Sequence, residues 1–185
     1  MNVNLAILVG GKSKRFGSDK CTHEINGKRS IDWINESIGF FFEKVLFIGK
    51  NDKIGDSISD LKPGFGPISG LETAILNSQN GVFLVSCDMP FIKREIVDFI
   101  LRKISNYSIV CPVVDGIYQV THAFYSSSIL EEVKKEMLTK NPSLKHLVST
   151  CPNSLLIEEK ELKIFKDYKN SFSNFNFPDD LNQHF

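Results

Sequence analysis

What the chain lacks narrows it first. No apolar run approaches the roughly 18 residues that a membrane-crossing helix needs, and no charged-then-apolar leader ends in small residues. Neither a transmembrane helix nor a secretory signal peptide is expected, and the protein reads as cytoplasmic. An excess of either charge sign is also missing: 22 Lys and Arg balance 22 Asp and Glu, which leaves no global field to attract nucleic acid or an anionic membrane. Any anion site must come from local clustering. The four cysteines, Cys21, Cys87, Cys111 and Cys151, contain no C-x-x-C, and the four histidines are equally scattered. The cysteines are therefore read as reduced thiols, neither a disulfide framework nor a zinc site. Repeats, linkers and low-complexity segments are absent too. The 185 residues are expected to form one domain, 1–185, with a core that needs no staple.

Both common phosphate fingerprints, G-x-x-x-x-G-K-[ST] and G-x-G-x-x-G, are missing as well. In their place an apolar run, Leu5 to Val9, fits a strand buried on both faces and stops at Gly10-Gly11. The next nine residues carry Lys12, Lys14, Arg15, Gly17 and Lys20. A buried strand that feeds a cation-rich glycine loop suits an anionic ligand at a sheet edge, because glycines let main-chain N–H groups approach phosphates.

Further along, Asn26-Gly27 predicts a hairpin turn, and Ser30 is placed as the N-cap of a helix marked by Ile31, Ile34 and Ile38. Val45–Ile48 reads as a second parallel strand, and Ile58-Ser59-Asp60 as a brief third one that ends on an acid. Pro63 to Gly70 holds two prolines and three glycines, with Pro67 suited to the first turn of a helix buried through Leu71, Ala74, Ile75 and Leu76. Such a glycine-rich helix entry is either a ligand grip or a structural turn. Val82–Val85 is the clearest buried strand, running into Cys87-Asp88-Met89-Pro90. Asp88 is a turn former or, beside a phosphate loop, a Mg²⁺ ligand.

Helices are expected over 93–104, 127–139 and 143–149, and strands over 108–114, 117–125 (antiparallel) and 154–158. The alternation of strand and helix through residue 112 implies right-handed crossovers and a three-layer, Rossmann-like α/β fold, its mixed sheet mostly parallel with one antiparallel strand.

Three stretches carry a resemblance: Leu8-Val9-Gly10-Gly11 with Arg15-Phe16-Gly17-Ser18-Asp19-Lys20, Gly66-Pro67-Ile68-Ser69-Gly70, and Cys87-Asp88-Met89-Pro90. Their order and spacing resemble the molybdenum cofactor guanylyltransferases, the MobA family, within the nucleotidyltransferases. The likeness extends to Asn174-Phe175-Asn176-Phe177-Pro178-Asp179-Asp180-Leu181. It implies transfer of GMP from GTP to molybdopterin with Mg²⁺ bound, the nucleotide held by about 1–112 and the acceptor by about 113–185. On this likeness Leu8, Val9, Gly10, Gly11, Lys20, Asp60, Gly66 and Gly70 belong to the nucleotide site. Arg15 clamps the triphosphate, Lys20 pairs with the α and β phosphates, and Asp88 anchors the metal. Asn174 and Asn176 match positions near the acceptor or metal, and by their residue type fit turns equally well. The chain departs from the family pattern at Val9 (usually Ala), at Ile48 (where a base-contacting Asn can stand) and at Phe177 (usually Thr or Ser). Molybdenum-cofactor biosynthesis proteins or acceptor apoenzymes are the implied partners. Two other readings stand beside this one: a nucleotidyltransferase with another base or acceptor, such as a cytidylyltransferase or a small sugar-phosphate enzyme, and a non-catalytic nucleotide-binding cofactor carrier.

Overall fold

The computed structural model describes residues 2–10 and 19–175. Its strands are β1 (Asn4–Leu8), β2 (Glu24–Ile25), β3 (Lys28–Arg29), β4 (Val45–Ile48), β5 (Gly81–Ser86), β6 (Ile109–Val114), β7 (Ile117–Tyr118), β8 (His122–Ser126) and β9 (Ser154–Ile157). The α-helices are α1 (Ser30–Ile38), α2 (Pro67–Leu76), α3 (Arg94–Leu101), α4 (Leu130–Met137), α5 (Leu144–Thr150) and α6 (Glu159–Leu162). Seven strands build one sheet in the order β4-β1-β5-β8-β6-β7, with β9 also paired to β6. β1 runs parallel to β4 and β5, and β9 parallel to β6, whereas β8 is antiparallel to both β5 and β6.

The continuous apolar runs are explained by burial on two faces. Leu5, Ile7, Phe83 and Val85 enter one core with α1 and α3; Ala6, Val82 and Leu84 enter the other with α2, α4 and α5. Alternate residues of a strand point to opposite faces, so a strand with helices on both sides has no polar side to show. Full burial of one such aliphatic side chain stabilises by about 1.5–3 kcal/mol, which outweighs the few tenths that separate most residue propensities.

Local chemistry sets the connections. Asn26 and Gly27 take φ of 51° and 75° and close the β2–β3 hairpin as expected. Pro67 opens α2 after Gly66 (φ 69°), and Leu71, Ala74 and Ile75 are buried, but Leu76 is 50% exposed. Ser30 is the first residue of α1 and not its cap: its hydroxyl donates to the Cys87 carbonyl and ties the helix start to the end of β5. The strand expected at 58–60 shrinks to one parallel bridge, Ile58 to Ile48. The antiparallel strand expected at 117–125 is present as β8, with β7 split from it. Asp115-Gly116 (φ 50° and 72°) folds β7 back on β6, and the Val120 carbonyl accepts from the Tyr125 hydroxyl at 2.7 Å.

The reading of all four cysteines as reduced thiols is overturned at two positions. Cys21 and Cys87 form a disulfide, their Cα atoms 5.1 Å apart across a sequence separation of 66. No motif could announce this pair, because only the parallel crossover brings the end of β5 beside the segment that follows the first loop. Cys111 and Cys151 are free. Among the described residues, no helix is long and apolar enough to cross a membrane.

Candidate active site

The parallel strands β1, β4 and β5 end side by side, and the candidate site residues lie just beyond them. After β1 the chain crosses tightly over the end of β4. Val9 N–H donates to the Ile48 carbonyl at 2.8 Å, and Gly10 N–H points at the same oxygen at 3.3 Å. A Cβ on Gly10 would sit 2.9 Å from Gly49 Cα, and one on Gly49 (φ 107°) would sit 2.5 Å from Gly10 N and Cα. Both positions therefore need glycine for backbone contact. Val9 turns its side chain into the core, 2% exposed, so its added bulk over alanine does not reach the ligand face. Ile48 is likewise buried, in the opposite core, and offers no side-chain contact to a base.

Asp60 closes this corner. Its carboxylate lies between two glycines, Oδ2 being 3.7 Å from the place of a Gly10 Cβ and Oδ1 3.7 Å from that of a Gly70 Cβ. Gly70 also gives way to Leu8, whose Cδ2 would be 2.5 Å from such a Cβ, and this close contact seats the start of α2 on the end of β1. Asp60 Oδ1 is buried with no hydrogen-bond partner among the described residues, and burial raises the carboxyl pKa. A half-desolvated acceptor without a donor suits a ligand that brings N–H groups. Gly66, by contrast, is exposed, and a Cβ there would meet nothing within 4 Å.

Lys20 and Asp88 meet on the other side. Lys20 Nζ is 3.4 Å from Asp88 Oδ2, with the two side chains 16% and 18% exposed. Asp88 Oδ1 is buried without a hydrogen-bond partner among the described residues. The C-terminal segment returns to the same place: Phe175 N–H donates to the Asp88 carbonyl at 3.1 Å, and the Phe175 ring centroid lies 5.8 Å from Lys20 Nζ. Asn174 is exposed immediately before it. Gly11, Arg15 and Asn176 lie outside the described residues.

Several contributors carried little signal in the sequence. Asn51 bridges the two sides of the first loop, its Nδ2 donating to the Val9 carbonyl at 3.2 Å and to Asp19 Oδ2 at 2.7 Å. Asp19 Oδ1 in turn accepts from Cys21 N–H at 2.9 Å. Gly49 and Asn51 follow an apolar strand directly, the one cue that could have drawn attention to them. No cluster of three or more His, Cys, Asp or Glu suited to a metal exists among the described residues.

A family model described as the MobA-like NTP transferase domain matches residues 5–154. A protein of Natranaerobius thermophilus named a probable molybdenum cofactor guanylyltransferase is 27% identical, with 98% of this chain and 94% of that protein covered. One of the same name from Thermococcus sibiricus is 32% identical over 95% of this chain and 93% of its own. The crystal structure of molybdopterin-guanine dinucleotide biosynthesis protein A from Archaeoglobus fulgidus superposes with a TM-score of 0.81 at 25% identity, covering 98% of this chain and 96% of that one.

Proposed function

Because the chain belongs to the MobA-like NTP transferase family, we propose that it transfers GMP from GTP to the phosphate of molybdopterin, giving molybdopterin guanine dinucleotide and pyrophosphate. The names of its relatives supply the substrate pair. The observation in this chain that carries the reading is the double placement of acids: Asp60 between Gly10 and Gly70, and Asp88 against Lys20 one strand away.

The base is read at Asp60. A guanine edge presents N1–H and N2–H side by side, and two carboxylate oxygens can accept both. Cytosine offers only one such amino group, so Asp60 favours guanine. The triphosphate then extends past Gly10 toward Lys20 and, in the motif, Gly11 and Arg15. An oxygen of the molybdopterin phosphate attacks the α-phosphorus of GTP; the new P–O bond forms as the α–β bond breaks, and pyrophosphate leaves with the electron pair. Two anions must approach, so screening and alignment supply most of the catalysis.

Asp88 fits a Mg²⁺ site: its buried Oδ1 lacks a partner, and a lone carboxylate suits a cation that takes phosphate oxygens and water for its remaining positions. Bound there, the metal would supply charge neutralisation across the phosphates. Lys20 contributes the second positive charge, released from Asp88 to the phosphates. The acceptor is read onto the part after residue 112, whose chain returns to Asp88 through Phe175. A cytoplasmic setting, with cofactor-biosynthesis proteins or acceptor apoenzymes as recipients, belongs to the same proposal.

Pyrophosphate release measured with molybdopterin and each of GTP, CTP, UTP and ATP tests it. GTP with Mg²⁺ should be preferred and should raise the melting temperature most, since a ligand of the folded state stabilises that state. Preference for CTP overturns the guanylyl assignment.

A further inference from the structure

The Cys21–Cys87 disulfide joins the residue after Lys20 to the residue before Asp88. We infer that this pair is a reversible thiol-modification site that sets nucleotide affinity by fixing the distance between the phosphate cation and the metal carboxylate. The inference rests on the proposed function for the names of those two groups, but the crosslink belongs to this chain's own geometry. In reducing compartments, disulfides that form at all are mostly redox-sensing or catalytic, and the placement of this one at the site suits sensing.

Two features make the exchange workable. First, the two segments have main-chain ties besides the bond, so its loss would loosen them without detaching them. The start of α1 already holds both segments, with Ser30 donating its hydroxyl to the Cys87 carbonyl and Ile31 its N–H to the Cys21 carbonyl at 3.3 Å. Second, the dithiol form has a place for its hydrogens, since Cys21 Sγ is 3.5 Å from the Val9 carbonyl and can donate to it when reduced. Cys87, 7% exposed against 3% for Cys21, is the sulfur an external reagent meets first. Of the two other thiols, Cys111 is inert, its pKa pushed up to about 12 by burial.

The chemistry balances as thiol–disulfide exchange. A small disulfide accepts attack from one protein thiolate, and its first thiol leaves. The second protein thiolate then attacks the mixed disulfide and the second small thiol leaves. Two S–H bonds are lost, one protein S–S bond forms, and two electrons and two protons pass to the small disulfide. A dithiol reverses it. In the oxidised form Lys20 and Asp88 are pre-placed for one Mg²⁺–triphosphate; in the reduced form binding must also order them.

The test compares protein oxidised with glutathione disulfide and protein reduced with dithiothreitol. Thiol titration under denaturing conditions should find two thiols in the first and four in the second, since the chain has four cysteines and one disulfide takes two. Calorimetry with GTP and MgCl2 should give a Kd about five- to tenfold lower for the oxidised form. Cys21→Ser and Cys87→Ser should each erase that difference, and Cys151→Ser should keep it. Four thiols after oxidation, equal affinity in both forms, or tighter binding on reduction each overturn the inference. If neither form binds GTP, the nucleotide reading fails. The ordering that the crosslink is inferred to impose is then decided by amide hydrogen exchange over 19–23 and 86–90: slower exchange in the oxidised form upholds that ordering, and equal or faster exchange overturns the inference.

Discussion

Lys20 Nζ and Asp88 Oδ2 lie 3.4 Å apart although 68 residues separate them in the chain, and both side chains are largely shielded from water. Each is the other's counter-charge in the absence of ligand. On the proposed function, a Mg²⁺–triphosphate would bring both a cation for Asp88 and anions for Lys20, so the pair could open without leaving either charge unmatched.

Asp88→Asn keeps the shape and removes the charge. Mg²⁺-dependent turnover is expected to fall by about a hundredfold or more while the circular dichroism spectrum stays unchanged. Lys20→Ala should weaken GTP binding by about tenfold, the order expected for one charge-assisted phosphate contact. A wild-type rate in the first variant, or a wild-type GTP affinity in the second, removes that residue from the site.

Gly49→Ala tests the backbone contact between the ends of β1 and β4. The new Cβ would sit 2.5 Å from Gly10 N and Cα on a residue with φ 107°, so clash and backbone strain add. A loss of about 2–4 kcal/mol is expected from denaturant midpoints, against about 1–2 kcal/mol for Gly10→Ala, where the closest approach is 2.9 Å. Equal midpoints for both variants and wild type would mean that the two strand ends do not touch.

Asn51→Ala removes the amide that joins Val9 to Asp19. The loop ends should lose their mutual placement, raising KM for GTP about tenfold with a smaller change in kcat, as befits a positioning residue. Asn51→Asp should be worse, since it sets a second carboxylate against Asp19. Steady-state kinetics at saturating molybdopterin separates the two parameters; a fall in kcat alone contradicts the assignment.

His122 predicts an acid limb in stability. The ring is fully buried in β8, its centroid 4.6 Å from that of Phe172 and 5.5 Å from that of Phe83. Burial lowers its pKa from 6.5 to about 3, with the Ser171 main chain opposing part of the shift. Between those values the unfolded chain binds the proton and the folded one does not. Stability is therefore fully present above pH 6.5 and falls as pH drops toward about 3, with a limiting slope of about 1.4 kcal/mol per pH unit. His122→Leu should flatten that slope when denaturation is followed from pH 4 to 7. An unchanged slope assigns the acid sensitivity to other groups.

The pattern of residue types along the chain was enough for most strands of the main sheet, though not at 58–60, where only one bridge forms. Val82–Val85 read as a strand buried on both faces and Pro67 after Gly66 as the opening of a helix, and both elements are present. The segment 159–172 gave less: α6 rests on a capping box between Glu158 and Glu161, and the 3₁₀ turn at Tyr168–Phe172 follows Asp167 at φ 50°. Both are short devices that a mixed-period charged stretch conceals. Asp115-Gly116 was a legible hairpin signal that the alternation over 117–125 masked.

Residue order alone set out the candidate groups for a phosphate site: Gly10 and Gly11 directly after a buried strand, Lys20 beyond them, and the acids Asp60 and Asp88 further along. Only the tertiary structure decided which of them meet. The Lys20–Asp88 pair, the Gly10–Gly49 contact, the Asn51 bridge and the Cys21–Cys87 bond each join segments from different strand ends. Such contacts depend on strand order in the sheet, which is set by the packing of both faces and leaves no local trace in the chain.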